Sequence, residues 1–174
     1  MTARYLRPRL LQPDDLLDGF ECRSPEQTLW LHEHARQAHA AGTAKVLVVT
    51  EEESATLVAF YAWAMASIVI DDAPDRFRKG AGRYPQPVAL LARLGVDIAH
   101  EGRGLGAALL ADVISRLAEL GANIGCRGLL VHAESDQARD FYLHLVPGFE
   151  PSPTDPQHLV LLMKDIHHTM RLQE

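Results

Sequence analysis

Residues His100–Leu110 read HEGRGLGAALL. Gly102, Gly104 and Gly106 alternate with other residues, and an apolar pattern of helical period starts directly behind them. Glycine ahead of a helix costs conformational entropy, so its repeated use asks for a backbone shape or a close approach that a Cβ would block. Upstream, Val88–Ile98 (VALLARLGVDI) is a nearly continuous apolar run, the mark of a central strand. Downstream, Leu105, Leu109, Val113, Leu117 and Leu120 recur at spacings of four and three and form one apolar stripe. Gly121 is placed to end that helix. Gly128–Ala133 (GLLVHA) reads as the next strand. Strand, helix and strand in this order imply a parallel pair joined by a crossover.

The glycine loop has the makings of an anion site. The first N–H groups of a helix lack internal partners, and the helix dipole is positive there. Without Cβ atoms the backbone can come close to a phosphate. Glu101–Ala107 therefore reads as a cradle for phosphate or pyrophosphate, with Arg103 as a charged donor. A tight turn needing positive φ is the plain alternative, but three glycines in five residues exceed what one turn requires. No Gly-Lys-Ser/Thr is present, which excludes an ordinary nucleotide P-loop. Gly102-x-Gly104-x-x-Ala107 matches the dinucleotide fingerprint, with Glu134 at the end of the next strand. A doubly wound domain needs further strand–helix units, however, and this chain has roughly one.

The 174 residues suit one domain, and an apolar content of 47 % suffices for a normal core. Ser24-Pro25-Glu26-Gln27 is a helix start, and the helix is predicted to run to Ala41 with Gly42 closing it. Lys45–Thr50 and Leu57–Ile70 are predicted strands around a hairpin at Glu51–Ser54. Asp71–Pro87, rich in Pro, Gly and charge, reads as a long loop or irregular crossover. Ser135–Leu145 suits a capped helix, and Phe149–Pro151 and Leu159–Lys164 the last strands. Apart from the parallel pair the sheet can be antiparallel.

Cys22 and Cys126 stand far apart, in no ligand-like pair, and a reducing cytosol fits them. No signal peptide is legible at the N-terminus, and no run reaches the ~20 apolar residues that span a bilayer. A cytoplasmic protein is expected. The nine histidines show no ligand spacing, so no metal is expected. The net charge of −6 gives no support to general nucleic-acid binding. Basic residues nevertheless clump at Arg4, Arg7 and Arg9, and at Arg76, Arg78, Lys79 and Arg83. They are either solvated loops or a local patch for a polyanion.

Two motifs carry a family resemblance. Glu101-Gly102-Arg103-Gly104-Leu105-Gly106 resembles the acetyl-CoA loop of the GNAT (Gcn5-related) N-acetyltransferases, Arg/Gln-x-x-Gly-x-Gly/Ala. Ser135 to Tyr142 (SDQARDFY), followed by Gly148-Phe149, resembles that family's second signature, Asn-x-x-Ala-x-x-x-Tyr then Gly-Phe. LARLGVD, GRGLGAALL, GCRGLLVHAESDQARDFY and GFEPSPTDP, with HARQAHAAGTAKVLVV nearer the N-terminus, are similar to the GNAT toxins of toxin–antitoxin pairs, the TacT and AtaT group.

The resemblance implies an α+β GNAT fold: a mixed, mostly antiparallel sheet with a splayed parallel pair and flanking helices. It implies acetyl-CoA as co-substrate and the α-amino group of aminoacyl-tRNA as acceptor. A ribbon–helix–helix antitoxin is the implied partner, and a homodimer is in keeping with the group. Tyr142 becomes the acid for the leaving thiolate. An unperturbed phenol, near ~10, is protonated at neutral pH. Leu94, Val96, Glu101, Gly102, Arg103, Gly104, Leu105, Gly106, Ala107, Ser135 and Phe141 become cofactor-binding residues. A backbone N–H near Gly95 or Val96 becomes the oxyanion donor. Arg36, Lys45, Arg76, Arg78, Lys79 and Arg83 are candidates for a tRNA surface.

Three departures stand out. Glu101 replaces the usual Arg or Gln, and a carboxylate there repels a diphosphate unless it points away, so weaker binding is expected. Ser135 replaces Asn. The stretch from Tyr142 to Gly148 is two residues longer than is common, which leaves the placing of the next strand open. An N-acetyltransferase of a small amine or a protein N-terminus, and a non-catalytic binder of a repressor-type partner, stay open as alternatives.

Overall fold

The computed structural model describes residues 3–172. Seven strands form one sheet in the order β1-β2-β3-β4-β5-β7-β6. In chain order they are β1 (Arg9–Leu10), β2 (Lys45–Thr50), β3 (Leu57–Ile68), β4 (Gln86–Val96), β5 (Gly128–His132), β6 (Glu150–Pro151) and β7 (His158–Leu162). The helices are α1 (Pro25–Glu33), α2 (Ala35–Ala41), α3 (Asp75–Arg78), α4 (Leu105–Gly121), α5 (Asp136–Leu145) and α6 (Met163–Leu172). The chain up to Ala64 joins Ala92–Asp112 in one compact unit, and Met65–Leu91 joins the chain from Val113 onward in a second. No helix among the described residues is long and apolar enough to cross a membrane.

In the first unit β2 pairs antiparallel with β1 and with β3, with an irregularity in register between Val49 and Thr50. The core gathers Leu11, Phe20, Leu31, Val46, Val48 and Phe60. Phe20 meets Phe60 edge-on at 5.4 Å, and Trp30 stacks on Phe60 at 6.2 Å. The predicted single helix is two. His34, at φ −122°, leaves helical geometry between α1 and α2, while Gly42 closes α2 at φ +76° as expected. The histidines here serve the packing. His32 Nε2 lies 2.8 Å from the Phe20 carbonyl oxygen, and His39 Nδ1 accepts from Val46 N–H at 3.0 Å. Burial, and then Lys45, hold His39 below its ordinary pKa, which suits an imidazole that accepts at Nδ1.

In the second unit β4 and β5 pair in parallel, Ala89–Leu91 against Leu129–Val131, and the register ends there although β4 continues to Val96. β7 pairs antiparallel with β5 and β6. α5 ends at Leu145, and the chain turns from Val146 to Phe149, whose N–H donates to the Val146 carbonyl at 3.2 Å. β6 then takes its place against β7, so the longer segment does not displace the strand.

One sequence expectation is corrected and a second is narrowed. The apolar run predicted as strand to Lys164 leaves the sheet at Leu162 and becomes α6, whose Met163 and Ile166 are buried. Of the two readings of the stretch 71–87, the plain loop fails and the irregular crossover holds. The stretch carries α3, and Phe77 is fully buried in a cluster with Ile68, Ala73, Val88, Leu130, Val160 and Leu162. The Arg127 guanidinium lies 4.6 Å from the centre of the Phe77 ring. Deleting a buried phenylalanine costs about 3–5 kcal/mol. Phe77→Ala is therefore expected to lower the urea midpoint by that much stability, with the slope unchanged, in equilibrium unfolding.

Candidate active site

The first part of the site grows out of the end of β4. Gly95 is buried against the core: a Cβ there would stand 3.0 Å from Phe60 Cε1 and 3.3 Å from Cys22 Sγ. By strand alternation Leu94 and Val96 face the other side of the sheet. A short 3₁₀ turn, Ile98–His100, follows. Asp97 caps it by accepting from Ala99 N–H at 2.9 Å, and also accepts from Glu21 N–H at 3.0 Å. Both bonds give Asp97 a structural task.

The chain then passes through Gly102 at φ +76° and Gly104 at φ +79°, a region that side chains with a Cβ rarely enter. The first bond of α4 runs from Ala108 N–H to the Gly104 carbonyl. This leaves the N–H groups of Leu105, Gly106 and Ala107 without intrahelical partners. Leu105 is buried and anchors the turn, while Gly102, Arg103 and Gly104 are exposed. The backbone thus presents donors at the positive end of a helix dipole, with no side chain over the two left-handed glycines. That is the shape and charge a diphosphate requires.

Two charged side chains of the loop are already engaged. Arg103 Nη1 donates to the Tyr5 hydroxyl at 2.8 Å, and that hydroxyl shares a 2.8 Å hydrogen bond with His100 Nδ1. Arg23 Nε donates to both carboxylate oxygens of Glu101, at 2.8 and 2.9 Å. Nothing in the sequence links Arg23 or Tyr5 to the loop, because they lie 78 and 98 residues from their partners.

The second part lies on α5. Ser135 caps the helix: its Oγ accepts from Ala138 N–H at 3.1 Å. Thus the serine performs the capping expected at this position. Tyr142 is 7 % exposed, meeting Phe141 edge-on at 5.2 Å and Phe149 at 6.1 Å. Burial, and then the charge of Glu134, push its pKa well above that of a free phenol. The hydroxyl is therefore a neutral donor across the physiological range.

The basic candidates divide sharply. Arg36 donates to the carbonyls of Pro13 and Asp15, and Lys45 Nζ to that of His39 at 3.1 Å. Arg76 forks onto Asp165 at 2.9 and 3.0 Å, with Glu150 at 3.5 Å. Arg78 staples its own loop through the carbonyls of Ala73 and Asp71. Lys79 and Arg83 have no such side-chain bond among the described residues. Beside Lys79 is a cavity of about 270 Å³ that Arg76, Arg127 and Lys164 also line. Arg127 and Lys164 went unremarked in the sequence, where each stands alone. Among the described residues no group of three or more His, Cys, Asp or Glu is gathered for a metal ion.

Known proteins resemble this chain in sequence and in fold. Residues 10–145 match the model of the Acetyltransferase (GNAT) family, a match that runs through both units. The "tRNA-acetylating toxin" of Mycobacterium tuberculosis (strain ATCC 25618 / H37Rv) is 42 % identical over 161 residues, 92 % of this chain and 94 % of that protein. The "Probable toxin TacT" of Sinorhizobium fredii (strain NBRC 101917 / NGR234) is 31 % identical over 142 residues, 78 % of each. The fold is also that of AtaT complexed with acetyl-methionyl-tRNAfMet, with a TM-score of 0.87 at 22 % identity over 96 % of this chain and 99 % of that one. AtaTR bound with AcCoA gives a TM-score of 0.81 at 22 % identity over 95 % and 98 %. A glycine-turned helix start behind the central strand, a buried tyrosine on the later helix and a family match through most of the chain have one common explanation: this protein belongs to the GNAT acetyltransferases.

Proposed function

We propose that this acetyltransferase moves the acetyl group of acetyl-CoA onto the α-amino group of an aminoacyl-tRNA and so blocks its use in translation. The observation that carries the reading is the 42 % identity, over nearly the full length of both chains, to a relative named for tRNA acetylation. A toxin of this kind needs an antitoxin, and the ribbon–helix–helix class is the one expected for it.

Acetyl-CoA supplies the activated thioester. The chain's own groups do the rest. The N–H groups at the start of α4 and the open backbone of Gly102 and Gly104 hold the diphosphate. Leu94 and Val96 line the path of the pantetheine arm, and Ser135 and Phe141 border it. β4 runs past its last register pair with β5, and a backbone N–H near Gly95 or Val96 stabilises the charge that develops on the thioester oxygen. The neutral amine attacks the thioester carbon, the carbon–sulfur bond breaks, Tyr142 donates its proton to the departing sulfur, and the proton that the amine releases restores the phenol by way of solvent. No strong base is required, since an α-amino group titrates near ~7.7–8 and is partly neutral at pH 7. Lys79 and Arg83 have side chains left to meet tRNA phosphates, and Lys164 and Arg127 border the same basic cavity.

Removing the hydroxyl of a general acid costs about 10²–10⁴ in rate. Tyr142→Phe is therefore expected to lower kcat by that factor while acetyl-CoA binds as before. Equal losses of binding and rate would assign Tyr142 to packing. The pH profile of kcat/KM should rise through the amine's titration near ~8 and stay level to about 10, because a buried phenol keeps its proton beyond its ordinary range. A falling limb below pH 9 would remove Tyr142 from the acid's role.

Mass spectrometry of aminoacyl-tRNA pools incubated with protein and acetyl-CoA should find N-acetylated aminoacyl groups. Acetylation of small amines alone would reject the proposed acceptor. Replacing both Lys79 and Arg83 by Ala should weaken tRNA binding and reduce its dependence on log salt by about two. Acetylation of small amines should be unchanged.

A further inference from the structure

We propose that Arg23 binds the phosphates of acetyl-CoA and that Glu101 is its positioning residue. This rests on the reading that the Glu101–Ala107 loop takes the coenzyme's diphosphate. A lone carboxylate at that place would oppose two anionic phosphates. The structure pairs it instead with a guanidinium brought from a distant part of the chain. Arg23 uses only Nε on Glu101, at 2.8 and 2.9 Å. Its Nη1 and Nη2, with four further N–H donors, have no partner among the described residues. The Arg23 side chain is 77 % exposed. An ion pair as open as this adds little to stability, so its geometry calls for another reason.

The backbone around Arg23 is fixed to the same turn. Glu21 N–H donates to Asp97 Oδ2 at 3.0 Å, Ile98 N–H donates to the Glu21 carbonyl at 2.8 Å, and Cys22 bridges Asp97 antiparallel. Ser24, the next residue, caps α1. Arg23 therefore leaves a segment laced to the chain four residues ahead of Glu101. Glu101 then orients the guanidinium edge-on, so that the fork points away from the carboxylate. Meanwhile Arg103, the loop's own cation, is turned to Tyr5. Guanidinium and phosphate match in bidentate geometry. The positive charge that the loop lacks at position 101 is thus restored from the strand-to-helix connection before α1.

The test is kinetic and uses the full chain with acetyl-CoA and with S-acetyl-pantetheine, which has the same thioester and no phosphates. Arg23→Ala should raise the KM for acetyl-CoA about tenfold, the worth of one charge-assisted bond, with kcat within about twofold and the melting temperature unchanged. Its kcat/KM with S-acetyl-pantetheine should equal that of the parent. Arg23→Lys should recover part of the loss. R23A combined with E101Q should bind acetyl-CoA better than R23A alone, because the unpaired carboxylate is gone. Equal effects on both thioesters, or none on either, would overturn the proposal. So would a double variant no better than R23A. If the unaltered protein does not favour acetyl-CoA over S-acetyl-pantetheine, the reading of the loop fails, and the proposal for Arg23 falls with it.

Discussion

Gly102 and Gly104 turn the chain out of β4 and into α4 with φ values of +76° and +79°. A residue with a Cβ pays of order 1–2 kcal/mol to enter that region. The turn sets where three N–H groups of α4 without intrahelical partners point. It also fixes the connection between the central strand and the helix whose stripe is buried at Leu105, Leu109, Val113 and Leu117 and half-buried at Leu120. The fold and the proposed recognition of a diphosphate therefore make the same demand on the same two residues. The chain cannot relax one without losing the other.

Much of this was legible because it is local. A glycine loop before an apolar stripe, a serine three residues ahead of a free helical N–H, and a glycine after a helix all act within one or two turns. The same holds for β2, β3, β4 and β5, whose apolar runs have strand length. What failed to show has long-range or continuous causes. α6 follows β7 without a turn residue, so one apolar run passes from strand to helix and period alone cannot divide it. The break at His34 has no glycine or proline to announce it. β1 is two residues long and owes its place to pairing with β2. The pair Arg23–Glu101 joins residues 78 positions apart, and the Arg76–Asp165 fork joins residues 89 apart. No spacing rule reaches that far.

The basic residues teach a related lesson. A cluster of like charges in sequence reads as a patch, but a charge can act on a ligand only if it is not already spent. Arg76 and Arg78 hold their own loop to α6 and to backbone carbonyls. Arg36 ties α2 to the segment at Pro13 and Asp15. Arg127 is likewise spent, on the Lys79 carbonyl and the Phe77 ring, so Lys79 and Arg83, with Lys164 brought beside Lys79 by the fold, define a smaller basic surface than the sequence cluster did. The overall acidity of the chain is then no obstacle, since a few well-placed cations suffice to steer an anion within a Debye length of about 8 Å.

Tyr142 poses the sharper chemical question. A phenol near ~10 is already a weaker acid than a thiol near ~8.5, and burial beside Glu134 weakens it further. In water such a phenol would hardly surrender its proton to a thiolate. Where the leaving sulfur of the proposed reaction is shielded from water as the phenol is, desolvation raises the thiol's pKa as it does the phenol's. The two values move together, and their difference, which governs the transfer, changes less than either. What burial adds is certainty of protonation state: the hydroxyl is always a donor when charge appears on sulfur. Glu134 strengthens that effect, because a negative neighbour opposes a phenolate more than it hinders a hydrogen bond. An acid of this kind acts first by stabilising the developing thiolate through its hydrogen bond. Complete transfer of the proton follows only as the carbon–sulfur bond breaks.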